Sequence, residues 1–127
     1  MQIVSVPAEA TVDPALNLTS IVERHASDTS NPVLYRWQMS PGNWQDIHAH
    51  QFHDMVVSVA KGLIAHGVKP GDRIGIMSRT RFEWALIDFA IWYAGAISVP
   101  IYETNAPAQV AWALSHSEAQ AIFVEND

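Results

Sequence analysis

From Phe52 onward, apolar residues recur at steps of three and four: Phe52, Met55, Val56, Val59, Ala60, Leu63 and Ile64. Gln51, Asp54, Ser58 and Lys61 fall between them. That spacing predicts an amphipathic helix with one buried stripe, and Gly67 stops it. Val68-Lys69-Pro70-Gly71-Asp72 then reads as a tight turn, with Pro and Gly where a type II turn wants them. Arg73 to Met77 is a short apolar run of the length of a buried strand. Thr80 and Glu83 form a capping box for a third helix reaching about Ala94, ended by Gly95. Ile97 to Ile101 is the next strand. A helix between two strands makes them parallel. Pro107 suits the first turn of a fourth helix, which runs to about Ser117 with Val110, Ala113 and Leu114 inward. Ala121 to Val124 closes the pattern as a third strand.

The earlier part is less regular. Residues 1–16 read as irregular and extended. A first helix spans about Leu18 to Ala26, with Asn17 or Ser20 as its cap and Ser20 with Glu23 as a capping box. A loop follows over Ser27 to Pro32. Val33 to Met39 alternates as a strand, Pro41-Gly42-Asn43 turns, and Trp44 to Ile47 pairs back as a hairpin. The expected architecture is α/β: a partial parallel sheet of βαβ units with flanking helices, plus a small amino-terminal hairpin region. Residues 1–43 hold the extension, helix and first hairpin strand, and residues 44–127 the βαβ portion, making one incomplete domain. Parallel strands need cover on both faces, so the sheet is expected to continue beyond Asp127.

Composition narrows the partners. The formal charge of −6 speaks against free nucleic acid, since phosphate binding needs a basic face. The absence of cysteine removes disulfides and Cys-based zinc sites and fits a cytoplasmic protein. MQIVSVPAEA has neither the basic start nor the apolar run of a secretory signal. Trp84 to Ile101 is almost wholly apolar, but Asp88, Gly95 and Pro100 interrupt it, and a buried helix followed by a buried strand accounts for it.

Few residues offer chemistry. His48, His50 and His53 cluster at the start of the second helix, where His50 and His53 could share a metal with Asp54 or His48; the plainer alternative is a solvated helix start, and no metal site is expected. Ser78 to Arg81 lies where a strand's carboxyl end meets a helix amino terminus, a place that attracts ligands and anions. Against that, Glu83 brings negative charge and no glycine-rich phosphate loop is present. Asp88 sits in the most apolar helix, where pairing with an arginine or a backbone amide is expected. The tryptophans (Trp37, Trp44, Trp84, Trp92 and Trp112) follow no fixed spacing and read as packing residues. No nucleophile elbow appears.

The order and spacing of several landmarks carry a resemblance. They are Gly67-Val68 with Pro70-Gly71-Asp72-Arg73; Ser78 with Arg81 and Glu83-Trp84; Asp88-Phe89-Ala90; Gly95-Ala96; Val99-Pro100 with Tyr102-Glu103-Thr104; and Gln109-Val110 through His116-Ser117-Glu118-Ala119. From about Trp44 to Val124 the chain resembles the amino-terminal region of adenylate-forming (AMP-binding) enzymes, most of all long-chain fatty acid–CoA ligases (acyl-CoA synthetases). The resemblance implies a longer parent that activates a fatty acid with MgATP, releases pyrophosphate and passes the acyl group to the thiol of CoA. It places the phosphate loop, adenine-binding segment, hinge and catalytic lysine downstream, so no catalytic residue is expected within this chain, and the chain alone is expected to be inactive. It also sets Tyr102, Glu103 and Thr104 beside the CoA channel, although short-chain relatives carry glycines where this chain has Glu103 and Thr104. Fatty acid, ATP and CoA are thus the parent's expected partners, with peripheral membrane contact in view, and no cofactor is expected on the chain itself. The rival readings are another adenylate-forming enzyme (an aryl–CoA ligase, an adenylation domain or a carboxylate reductase) and a stand-alone non-catalytic α/β interaction module. A sheet cut after its third strand leaves an edge and apolar surface, so self-association of the chain is expected.

Overall fold

The computed structural model describes residues 6–7, 10–11 and 13–125. The irregular run expected over residues 1–16 therefore lies partly outside the described residues. The elements are α1 (Thr19–Ala26), β1 (Val33–Ser40), β2 (Asn43–His48), α2 (Ala49–Ala65), β3 (Arg73–Met77), α3 (Phe82–Tyr93), β4 (Ile97–Ile101), α4 (Pro107–Ser117) and β5 (Ala121–Val124). β1 and β2 form an antiparallel hairpin, with Ser40 opposite Asn43 across Pro41-Gly42. The hairpin straddles the boundary expected between residues 43 and 44. The other three strands form a parallel sheet in the order β4-β3-β5, so the expected βαβ reading holds.

Local chemistry explains the boundaries. Gly67 and Gly95 take positive φ (94° and 75°) just past α2 and α3, a conformation that costs other residues a Cβ clash. In the turn before β3, Asp72 N–H donates to Lys69 O at 3.0 Å, and Gly71 sits at φ 85°. These are the marks of the predicted type II turn. Pro107 opens α4 at a position where its missing N–H costs nothing.

Two predicted caps differ from the expectation. At α1, Asn17 Oδ1 accepts from Ser20 N–H at 3.1 Å and Ser20 Oγ accepts from Asn17 N–H at 3.2 Å. Glu23 takes no part, because its carboxylate is claimed by Tyr93 Oη at 2.8 Å. At α3 the helix begins one residue later than the Thr80–Glu83 box requires, with Arg81 at the N-cap position. Glu83 then lies beside the Arg81 guanidinium and accepts from it at 2.7 and 2.9 Å. Charge pairing outcompetes the backbone as partner for that carboxylate.

α3 is apolar on all sides because it is packed on two. One face joins α1, the hairpin and α2 around Val22, Ile47, Phe52, Val56, Phe82 and Leu86. The Tyr35, Phe82 and Phe89 rings lie 4.8, 6.1 and 5.7 Å from Phe52. The other face carries Trp84, Ile87 and Ile91 against Ile74 and Ile76 of β3. Ile74, Ile76 and Ile91 are fully buried, and each such side chain is worth roughly 1.5–3 kcal/mol. α4 covers the opposite sheet face. A Cβ on Gly75 would meet Ile122 Cγ1 at 3.0 Å and Leu114 Cδ2 at 3.1 Å, so a larger residue here would press on the packing of β5 and α4. Arg73 fastens the end of α4, donating to Ser117 O at 2.7 Å and Glu118 Oε2 at 2.6 Å, where a cation complements the helix terminus. In β4, Ile97 N–H donates to Asp72 O. By strand alternation Ser98 and Pro100 therefore direct their backbone groups away from β3.

Candidate functional site

The chain leaves β3 through α3 on one face of the sheet and leaves β4 through α4 on the other. The carboxyl ends of these adjacent strands thus diverge, and open α/β sheets bind ligands in the crevice such divergence creates. A crevice of about 500 Å³ opens there, walled by Ser78, Thr80 and Trp84 after β3 and by Pro100, Ile101, Tyr102 and Glu103 from β4 onward. The topology thus unites the two segments singled out in the sequence, the Ser78–Arg81 loop and the run after β4. Tyr102 is 77% exposed. Its carbonyl accepts from Asn105 N–H at 3.1 Å, closing a turn over Glu103 and Thr104. Thr104 is exposed and is not among the residues walling the crevice. Another hollow, of about 430 Å³, lies by Thr19, Trp92, Gly95 and Ala96 at the amino end of β4, away from the strand carboxyl ends.

The loop beside the crevice is rich in charge. Glu125, just beyond β5, sets its carboxylate against it. The Arg79 N–H donates at 3.1 Å, the Arg79 guanidinium at 2.8 Å, Arg81 Nη1 at 2.9 Å and Ser78 Oγ at 3.3 Å. The Arg79 side chain and backbone, with Arg81 behind them, hold the Glu125 carboxyl down at about 2. Arg81 likewise lowers Glu83. Sequence reasoning missed Glu125, and no local signal could have found it, because β5 brings it across from the far end of the chain.

Asp88 is 7% exposed and lies between α3 and β4. The expected arginine or backbone amide is not its partner. Burial pushes its carboxyl above the usual range, only partly opposed by a hydrogen bond from the Ser98 hydroxyl, and Oδ1 has no partner.

The histidines do not converge. His48 Nδ1 lies 2.8 Å from Asn31 O, and His53 lies 3.3 Å from Asp54 Oδ1 and 3.6 Å from Glu23 Oε1. Among the described residues no three His, Cys, Asp or Glu side chains are placed to hold a metal. Trp37 stacks on Phe82 and Trp92 meets Phe89 edge-on, as packing residues do, whereas Trp112 is exposed and stacks on His116.

The AMP-binding enzyme profile matches residues 22–127. The chain belongs to the AMP-binding enzyme family. Over all 127 residues it is 42% identical to the long-chain-fatty-acid–CoA ligase FadD15 of Mycobacterium bovis and to that of Mycobacterium tuberculosis, spanning 21% of the length of each. Over 66 residues, 52% of this chain and 9% of the relative, it is 38% identical to the peroxisomal long chain acyl-CoA synthetase 7 of Arabidopsis thaliana. A fatty acid AMP ligase from Legionella pneumophila superposes with a TM-score of 0.75 at 21% identity, over 84% of this chain and 19% of that one. The N-terminal subdomain of Klebsiella oxytoca NpsA superposes with a TM-score of 0.73 at 16% identity, over 86% and 27% of the two chains. At such identities the structural likenesses establish the fold alone. Among the described residues no helix is long and apolar enough to cross a membrane.

Proposed function

We propose that this chain is the amino-terminal part of an ATP-dependent long-chain fatty acid–CoA ligase. The observation that carries the reading is the 42% identity, maintained over every residue of the chain, to proteins named for that activity. The longer protein joins a fatty acid to AMP at the expense of MgATP, releases pyrophosphate, and transfers the acyl group to the CoA thiol. Residues beyond these 127 perform that chemistry, and the chain alone is inactive. Its part is to build the crevice at the ends of β3 and β4, where Tyr102 and Glu103, with Thr104 in the adjoining turn, border the path of CoA. We place the enzyme in the cytoplasm, with a fatty-acid substrate that draws it to membrane surfaces.

The test is pyrophosphate release from ATP in response to added long-chain fatty acid, run on the full reading frame and on the 127-residue chain. Release by the first and not by the second is the expected result. Silence from both discards the ligase reading. In the active enzyme, Tyr102→Ala is expected to raise KM for CoA. An unchanged KM for both CoA and fatty acid removes Tyr102 from the site.

A further inference from the structure

A hollow of about 160 Å³ lies between α1, β1 and the rings of Phe52 and Phe89, on the flank of the aromatic core. Three rings wall it. Tyr35 and Phe89 stand 4.8 and 5.7 Å from Phe52, with Phe89 edge-on at 86°. Phe52 is 1% exposed, so core packing fixes the rings in place. Ile21, Val22 and Leu34 supply the aliphatic part of the wall. Val22 is buried, and the Glu23–Tyr93 hydrogen bond of 2.8 Å fastens α1 over the hollow. Ile21 is 39% exposed and marks the side where the hollow meets solvent.

Size and chemistry both restrict what fits. The volume is well below the roughly 300–1,000 Å³ of sites for drug-sized ligands. It is close to the about 150 Å³ of an engineered core cavity that takes up benzene or xenon. Of the described side chains in the wall only His25 and Tyr35 are polar, so water finds few of the two to four partners it needs. Among those side chains there is no carboxylate, lysine or arginine to pair with a charged ligand, which would lose its hydration for nothing. Burial pushes the Tyr35 hydroxyl up, so that part of the wall stays uncharged.

We infer that the hollow beneath α1 is a binding site for a small neutral aromatic molecule, a single ring in size. Tyr35, Phe52 and Phe89 offer such a ring the edge and face contacts that aromatic pairs prefer. The occupant touches α1, β1 and α3 together, so binding also ties α1 to the rest of the chain. This inference concerns the amino-terminal half of the molecule and does not depend on the ligase reading.

The experiment is titration of benzene into the isotope-labelled 127-residue chain, followed by amide NMR shifts. Saturable shifts at millimolar benzene are expected, centred on Thr19–Ala26, Leu34–Tyr35 and Phe89, with slower hydrogen exchange in α1. Benzoate, the same ring with a charge, is expected to leave these amides unmoved. Ile21→Trp, which places a larger side chain at the mouth, should weaken benzene binding at least about tenfold by taking the space. The inference is overturned if benzene gives no saturable shifts, if the shifts centre on the crevice after β3 and β4, or if benzoate binds as well as benzene. It is also overturned if an Ile21→Trp chain with an intact thermal transition binds benzene as tightly as wild type. The benzene and benzoate arms use wild type alone, so they refute or support the inference even if that variant does not fold.

Discussion

Phe52 is 1% exposed and packed among Tyr35, Phe82 and Phe89, whereas α4 has no buried residue and its Trp112 is 65% exposed. The two regions are joined through one small sheet, yet only the first has enclosed its apolar surface. Rings at 4.8–6.1 Å from Phe52 add edge-to-face attraction to burial. On the α4 side, the contact rests on Leu114 and Ile122 closing over Gly75. The difference separates a closed apolar core from a sheet face that is only partly covered.

The sharpest way to break the comparison is to empty each side. Phe52→Ala is expected to cost about 3–5 kcal/mol in urea unfolding, by loss of transfer energy plus the cavity left behind. Leu114→Ala, partly buried, is expected to cost clearly less. Equal losses would mean that α4 is as much a part of the core as α2. Gly75→Ala ranks next. Its Cβ would press on Ile122 and Leu114, and overpacking of this kind costs about 1–3 kcal/mol. A neutral result would show that the α4 side yields freely.

Asp88 tests the face between the two regions. Its folded carboxyl titrates above the unfolded one because burial disfavours the charge. The protonated form's contribution to stability is therefore complete below the unfolded value, near 3.8, and is lost as pH rises through the raised folded value. Asp88→Asn does not titrate, so its advantage over wild type should grow as pH rises from 4 to 7. Urea midpoints at the two pH values measure this, and a constant difference would contradict the assignment. The smallest expected effect on stability is that of Trp112→Ser, within about 0.5 kcal/mol as for a surface change. The same substitution should reduce the concentration-dependent light scattering expected of the chain. A clean wild-type monomer at high concentration would mean that the exposed α4 side attracts no second copy.

Much of this was legible in order along the chain. Pro70-Gly71, Gly67, Gly95 and Pro107 mark turns and helix ends through backbone constraints that act locally, so the strands and helices between them could be read directly. The site was half legible. Ser78–Arg81 and Tyr102–Glu103 were each visible as strand-end segments, and the parallel pairing of β3 with β4 unites them. What stayed hidden was long-range charge pairing. Glu83 fitted a capping box by spacing, and nothing nearby announced that Arg81 would claim it. Glu125 and the Asp88–Ser98 contact depend on which strands become neighbours, a choice made by the whole sheet.

Pro100 gives that sheet a direction of growth. Its ring stands where an outward N–H of β4 would be, so an added strand finds one bonding position missing on that edge. β5 has no proline, and its outer side offers the backbone groups of Ala121 and Phe123. A strand added along the β4 margin would therefore pair less completely than one added along β5, so the two margins of this sheet are not equivalent as places for further strands.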